Sequence, residues 1–174
     1  MLNPALHKIA VIGISGTGKS TVSREIAETT KLPLYHMDSI IWGENWKEAD
    51  TPAIERALSK IVPTARWIIE GWIDEYSKDL LEKADLVLYL DYPGWVAMCG
   101  GFQRWWRYRG KTRPEMPNGC VETFGLKYLQ VMLQRRERPH IEKQLADFKP
   151  KNVVRCLSRN QAKQKLRELF GGNM

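Results

Sequence analysis

The sequence predicts a three-layer α/β/α fold in which helices cover both faces of a five-stranded parallel sheet. Two observations support this. Five short apolar segments rich in β-branched residues recur along the chain, and helical patterns separate them. Strands that are apolar on both faces are typical of a parallel sheet buried between helices. The 174 residues match one domain of ordinary size, which we expect to span residues 1–174.

The predicted elements alternate in order along the chain. Strands are expected at 8–13, 32–37, 67–71, 85–90 and 152–156. Helices are expected at 21–30, at 52–61, in a short segment ending at 83, and over much of 96–148. Ser158 and Gln161 have the spacing of a capping box, so a last helix is expected from there to Phe170.

Composition and cysteine spacing restrict the class of protein. Hydrophobic residues make up 43% and charged residues 27%, as in a soluble globular protein, and no apolar run is long enough to span a bilayer. Cys99, Cys120 and Cys156 lie far apart without a C-x-x-C pair, which fits neither a zinc site nor a disulfide framework. We therefore expect a cytoplasmic protein with no membrane partner.

The strongest motif is Gly-Ile-Ser-Gly-Thr-Gly-Lys-Ser at 13–20, which matches G-x-x-x-x-G-K-[ST] between a predicted strand and a predicted helix. Backbone N–H groups of such a loop form a concave nest for phosphate oxygens. The predicted nucleotide-binding residues are Gly13, Ser15, Gly16, Thr17, Gly18, Lys19, Ser20 and Thr21. Lys19 is expected to reach the β- and γ-phosphates of ATP during catalysis, and Ser20 to ligate Mg²⁺. The motif predicts a P-loop NTPase.

Two other nucleotide-binding classes are disfavoured. A dinucleotide-binding fingerprint needs G-x-G-x-x-G, whereas the glycines here are spaced G-x-x-G-x-G. Switch GTPases usually carry an N-K-x-D motif, which does not occur in the sequence.

Several segments together resemble the adenylate-kinase-related proteins often called DNA topology modulation proteins. They are residues 9–38, 67–71 and 84–93, and the block Arg-Tyr-Arg-Gly-Lys-Thr-Arg-Pro at 107–114. The resemblance covers nearly the whole chain and implies a nucleotide-kinase-like core with a lid. Family members commonly have Asp-Gly-Asn-Tyr after the third strand, where this chain has Glu70-Gly71-Trp72. This departure leaves the phosphate acceptor open.

Two carboxylates follow or end predicted strands. An acid at Asp38, as in the kinases that the chain resembles, would orient or deprotonate the acceptor hydroxyl or hold magnesium through water. The alternative for Asp38 is a helix cap. Glu70 is expected to contact magnesium through water, with a structural ion pair as the alternative. His36 lies inside a predicted strand and is interpreted as a core residue rather than a base.

A basic region predicts an arginine-rich helical lid at about 96–148. Arginine forks can neutralise the charge of a phosphoryl group in transfer when a lid closes. The arginines predicted to act in catalysis are Arg104, Arg107, Arg113 and Arg138. Any one of them could instead be a solvated charge. The interval 111–123, with two prolines and a glycine, is predicted to be a mobile loop.

Two functional hypotheses follow. The favoured one is an ATP- and Mg²⁺-dependent kinase that phosphorylates a nucleotide, a nucleoside or another small metabolite. The alternative is a nucleic-acid-binding regulator that uses the P-loop as an ATP sensor. It depends on the net charge of +7 and on the aromatic and basic run at 105–109. Tryptophans near the predicted acceptor and lid segments could stack on a base or sugar, or simply pack. The sequence indicates neither the acceptor nor the oligomeric state.

Overall fold

The computed structural model describes residues 6–123 and 125–171. The strands are β1 (Lys8–Gly13), β2 (Leu34–His36), β3 (Trp67–Gly71), β4 (Leu86–Leu90) and β5 (Val153–Cys156). They form one parallel sheet in the order β2-β3-β1-β4-β5, which confirms the predicted fold. Strand β2 is shorter than the predicted 32–37, because it follows Pro33, which has no N–H to donate, and ends where a helix begins at Met37.

The helices are α1 (Lys19–Thr30), α2 (Met37–Ile41), α3 (Thr51–Ile61), α4 (Lys78–Lys83), α5 (Gly94–Tyr108), α6 (Leu126–Leu133), α7 (Arg138–Phe148) and α8 (Arg159–Phe170). Short 3₁₀ turns occur at Glu44–Trp46 and Glu75–Ser77. Helix α8 is capped as predicted at Ser158, whose Oγ accepts a hydrogen bond from the Gln161 N–H at 3.2 Å. The Gln161 side chain accepts from the Leu157 N–H instead of returning to Ser158.

Each face of the sheet covers its own hydrophobic core. Along β1, Ala10 and Ile12 belong to one cluster of buried residues, whereas Ile9 and Val11 belong to the other. The same alternation places Tyr89 and Leu88 of β4 on opposite faces. Burial on both faces explains why the strands are almost entirely apolar in sequence. No helix in the described ranges is long and apolar enough to cross a lipid bilayer.

Helix α5 approaches both α6 and the phosphate loop at glycines. A Cβ added at Gly94 would overlap the Leu133 carbonyl oxygen, and one added at Gly100 would overlap the carbonyl oxygen of Gly16. Backbone contacts this close are possible only without a side chain. The base of α5 is therefore packed directly against the loop that the motif assigns to phosphate.

Replacing Gly94 with alanine is expected to destabilise the fold. The new methyl group must displace the end of α6, which we expect to cost about 1–3 kcal/mol in the free energy of unfolding and to outweigh any gain in helix propensity. Gly125→Ala is the control, since the nearest atom to its Cβ is 3.5 Å away, an ordinary contact. Urea unfolding followed by circular dichroism measures both, and equal midpoints for Gly94→Ala and the wild type would contradict the close packing.

Candidate active site

The phosphate loop follows β1 and leads into α1. Gly16 and Gly18 adopt φ angles of 82° and 89°, in the left-handed region that glycine occupies readily. Thr17 is buried and its Oγ1 donates to the Ile14 carbonyl at 2.8 Å, which fixes the turn. Lys19 Nζ donates to the same carbonyl at 3.3 Å, so the lysine side chain folds back over the loop. The loop thus has the turn that a phosphate nest requires.

A carboxylate already occupies one donor of this nest. The Ser15 N–H donates to Glu137 Oε2 at 2.6 Å, although the two residues lie 122 positions apart. A carboxylate oxygen at a backbone N–H of this loop stands in for a phosphate oxygen. The contact fits the predicted anion site, and it adds Glu137, which no motif or spacing in the sequence predicted.

Neutralising Glu137 is expected to strengthen ATP binding. The carboxylate competes with phosphate for the Ser15 N–H and repels it, so Glu137→Gln should lower the Kd of Mg·ATP about tenfold, within the range for one hydrogen bond to a charged group. Calorimetric titration with a non-hydrolysable ATP analogue measures this change. Glu168→Gln, on the exposed side of α8, is the matched control. Unchanged or weaker binding by Glu137→Gln would show that this carboxylate does not compete with the nucleotide.

Glu70 lies beside the phosphate loop, as expected if β3 neighbours β1. Val11 of β1 pairs with Glu70 of β3. Ser20 Oγ donates to Glu70 Oε1 at 3.0 Å, which brings together the two residues predicted to serve magnesium. The Glu70 side chain is only 4% exposed. Burial alone would raise the pKa of Glu70, but its contacts with His36, Lys19 and Ser20 outweigh burial and hold the pKa below its usual value.

His36, interpreted from the sequence as a core residue, contacts this site through Glu70. Its Nδ1 lies 2.6 Å from Glu70 Oε1, and its ring is 20% exposed. The contact arises because β2 pairs with β3 and sets His36 opposite Glu70. No local pattern identifies it, since strand order is not visible in the sequence.

A cavity of about 930 Å³ opens beside the phosphate loop. The predicted site residues that line it are Ser15, Gly16, Gly18, Lys19, Ser20, Asp38, Glu70, Arg104, Arg107 and Arg113. Gly13, Thr17 and Thr21 belong to the loop and the first turn of α1 but are not in the cavity wall. One continuous space therefore joins the phosphate loop to the predicted acceptor acid.

Asp38 lies in the first turn of α2, immediately after β2, at the carboxyl edge of the sheet. Its side chain is 37% exposed and its Oδ2 is 3.6 Å from an Arg113 guanidinium nitrogen. Asp38 is thus accessible from the cavity and held near a cation. Of the tryptophans noted in the sequence, Trp42, Trp46 and Trp72 line the cavity, whereas Trp105 and Trp106 do not.

Two of the predicted lid arginines are neutralised by acids. Arg104 Nε donates to Glu122 Oε1 at 2.7 Å. Arg113 is 6% exposed and lies 3.0 Å from Glu122 Oε2, without the alignment of a hydrogen bond, and 3.6 Å from Glu115. Arg107 lines the cavity and makes no ion pair within the part of the chain that the structure describes. Among the four arginines predicted to act in catalysis, Arg107 is therefore the one whose charge is not paired with a described carboxylate.

The interval 111–123, predicted as a mobile loop, makes β-bridges and side-chain contacts at several positions. Isolated β-bridges join Arg109 to Glu122 and Thr112 to Val121. Cys120 is buried, and its Sγ contacts the Gly43 carbonyl at 3.3 Å. These contacts place the interval against the segment that follows α2.

Arg138 lies in a different cluster, outside the cavity wall. Its Nε donates to Asp91 Oδ1 at 3.0 Å, and Arg135 and Arg155 contact the same carboxylate. Burial alone would raise the pKa of Asp91, but the three guanidinium groups outweigh it and lower the pKa. Asp91, which follows β4, is thus a structural partner for Arg138 at the start of α7, and the catalytic role of Arg138 stays a prediction.

No family model and no curated protein matches the chain. Solved structures match it over nearly its whole length. A shikimate kinase from Acinetobacter baumannii, in complex with shikimate, is 16% identical over 94% of this chain and 93% of its own, with a TM-score of 0.56. A gluconokinase from Sinorhizobium meliloti 1021 is 19% identical over 95% and 90%, with a TM-score of 0.54.

A deoxyadenosine kinase from M. mycoides, solved with the products dCMP and dCDP, is 18% identical over 92% of this chain and 97% of its own, with a TM-score of 0.52. At these identities the likeness shows the fold. The chain has the P-loop kinase fold, with the five-stranded parallel sheet described above.

Proposed function

We propose that this protein is an ATP-dependent phosphotransferase that passes the γ-phosphate of ATP to a small acceptor bound in the cavity. The observation that carries the proposal is the continuity of the cavity that joins Lys19 and Ser20 of the phosphate loop to Asp38. The neighbours in fold support it, since they are a shikimate kinase, a gluconokinase and a deoxyadenosine kinase.

The described side chains fit ATP and magnesium. Ser20 would ligate the metal directly, and Glu70 would hold it through water, because magnesium keeps several waters and takes other ligands from substrate phosphates. Bound magnesium neutralises charge on the β- and γ-phosphates. The described residues hold no group of three or more His, Cys, Asp or Glu able to bind a metal by themselves.

Each remaining residue has a distinct role in the proposal. Lys19 would bind the γ-phosphate oxygens, and Arg107 would add a guanidinium to the charge that spreads over them in the transition state. Asp38 would orient the acceptor hydroxyl and accept its proton. Arg104 and Arg113 would keep the lid segment in place through Glu122, unless closure exchanges that carboxylate for phosphate.

An acceptor panel tests the proposal. Purified protein is incubated with Mg·ATP and separate pools of nucleosides, nucleoside monophosphates, sugars, amino sugars and sugar acids, and ADP release is followed. We expect one pool to stimulate ADP release well above the acceptor-free rate, and EDTA to abolish the stimulation until Mg²⁺ is restored in excess. Failure of every pool to stimulate turnover, with ATP binding intact, would count against a small-molecule kinase.

The narrower assignment to the adenylate-kinase-related topology modulation proteins depends on the sequence resemblance alone. The acid-Gly-Trp sequence at Glu70 already departs from that family. A cytoplasmic location is likewise proposed from the cysteine pattern and the bulk composition.

A second candidate function has one observation in its favour. The outer side of α5 exposes Trp95, Phe102 and Trp106, at 62%, 44% and 66%, and Arg109 lies over the ring of Trp105. Exposed aromatic rings next to cations can stack on single-stranded bases. Fluorescence anisotropy with a labelled single-stranded DNA would show binding that weakens steeply as salt rises. Absence of binding at low salt, or equal binding by Trp106→Ala, would exclude this surface.

A further inference from the structure

The cavity carries more negative than positive side chains, although the net charge of the chain is +7. The carboxylates in its wall are Asp38, Glu48, Glu70, Asp74, Glu115, Glu122 and Glu137. The cationic side chains are Lys19, Arg24, Arg104, Arg107 and Arg113. A wall with an excess of negative charge attracts cations to the part of the cavity that the phosphates of ATP do not occupy.

Most of the cavity arginines are already paired with carboxylates. Arg113 lies within 3.6 Å of three carboxylates, and Arg104 is hydrogen-bonded to Glu122. Arg24 is 4.0 Å from Glu115. The remaining cations, Lys19 and Arg107, are those assigned to the phosphates of ATP. An anionic acceptor would therefore find little uncompensated positive charge.

The part of the cavity formed after β2 and β3 is acidic and aromatic. Its carboxylates are Asp38, Glu48 and Asp74, and its rings are Trp42, Trp46, Trp72 and Tyr76. Trp42 and Trp46 meet edge to face with centroids 5.6 Å apart. Burial first, and then the charges of Asp74, Glu48 and Asp38, raise the pKa of Tyr76 well above its usual value, so all three negative charges act on one region.

Glu115, which lies 4.0 Å from Arg24 and 3.6 Å from Arg113, has a carboxylate oxygen without a hydrogen-bond donor in the described part of the chain. Its side chain is 8% exposed and belongs to the cavity wall. Its Oε2 has no hydrogen-bond partner among residues 6–123 and 125–171. A buried carboxylate oxygen without a donor costs free energy, which a donating ligand would recover.

We propose that the acceptor is a small alcohol or sugar that carries a positively charged amine. Carboxylates and aromatic faces together are the groups that bind an ammonium ion. Sugar acids and nucleoside monophosphates, which bring a negative charge to the same wall, are disfavoured. The inference builds on the proposed function and names its acceptor class.

The transfer balances with the groups present. The bond between the γ-phosphorus and the oxygen that bridges it to the β-phosphate breaks, and a bond to the acceptor hydroxyl oxygen forms. The hydroxyl proton passes to Asp38 and then to solvent, and ADP is the leaving group.

Binding is tested first, without ATP, on three sugars that share a hydroxylated ring and differ in charge: D-glucosamine, D-glucose and D-glucuronate. Titration by saturation-transfer NMR gives a Kd for each. We expect the Kd of glucosamine to be at least tenfold lower than the other two. A Kd for glucose or glucuronate equal to or below that of glucosamine would overturn the inference.

Glu48→Gln tests whether cavity charge sets this preference. Glu48 is exposed and makes no ion pair or side-chain hydrogen bond within the described chain, so the substitution removes a charge without breaking a structural contact. We expect roughly threefold weaker glucosamine binding and unchanged glucose binding, as for an exposed charge pair. Glu55→Gln on α3, outside the cavity wall, is the control. An equal Kd for glucosamine in Glu48→Gln and Glu55→Gln would show that Glu48 does not contribute to glucosamine binding.

Turnover separates the two proposals. If an anionic or neutral pool stimulates ADP release best, the kinase proposal stands and the cationic acceptor class is wrong. If glucosamine binds selectively but no pool stimulates ADP release, the cation site stands and the kinase proposal fails.

Discussion

Lys19→Ala is expected to lower acceptor-dependent ADP release by about 100- to 1000-fold. Lys19 is the cation of the phosphate loop, and removing one preorganised charge from a phosphoryl-transfer site costs on this order. In the structure its Nζ donates a hydrogen bond to the Ile14 carbonyl and its charge acts on Glu70, so we expect the substitution to affect the site more than the fold. Kinetic assays with Mg·ATP measure the loss in kcat/KM.

A matched variant distinguishes the role of the phosphate loop from a general loss of charge. Lys163→Ala removes an exposed lysine of α8 and should leave turnover unchanged. Urea midpoints of both variants should agree with that of the wild type. Turnover by Lys19→Ala near the wild-type rate would place the chemistry somewhere other than this loop.

Asp38→Asn is expected to reduce kcat by about 100- to 1000-fold while ATP binding is retained. Asparagine keeps the shape of the side chain but cannot accept the acceptor's proton, and general-base catalysis contributes this order of rate. Asp38 lies on α2, whereas the phosphate loop follows β1, so the loss should not extend to the KM for ATP.

Asp79→Asn, in an exposed pair with Lys83 on α4, is the control for the loss of one carboxylate and should have little effect. A variant Asp38→Asn with wild-type turnover would remove Asp38 from the mechanism. A parallel rise in the KM for ATP would instead assign Asp38 to the nucleotide side of the cavity.

Local patterns were enough to predict the sheet, because each strand is a short apolar run that needs no partner to be visible. The phosphate loop was also visible, because its residues are consecutive. Contacts that depend on strand order, or on segments far apart in the chain, could not be predicted from local patterns. His36 meets Glu70 across two strands, and Glu137 reaches Ser15 from the far end of the lid region.

The arginines show a second limit of predicting a site from the sequence. The basic region predicted Arg104 and Arg113 as lid arginines, but it did not predict Glu122, which lies between their guanidinium groups. An excess of basic residues in a segment therefore does not measure the charge that a ligand meets. That quantity depends on which acids fold onto the segment.

The close packing of α5 on the phosphate loop restricts how the lid can move. Gly100 rests on the backbone of Gly16, and Gly94 on the end of α6. A rigid swing of α5 about its first residue would push on the phosphate loop, where we propose that ATP binds. Opening and closing of the proposed lid should therefore bend the chain beyond the Gly100 contact, towards 109–123, while the first half of α5 acts as a fixed wall of the proposed ATP site.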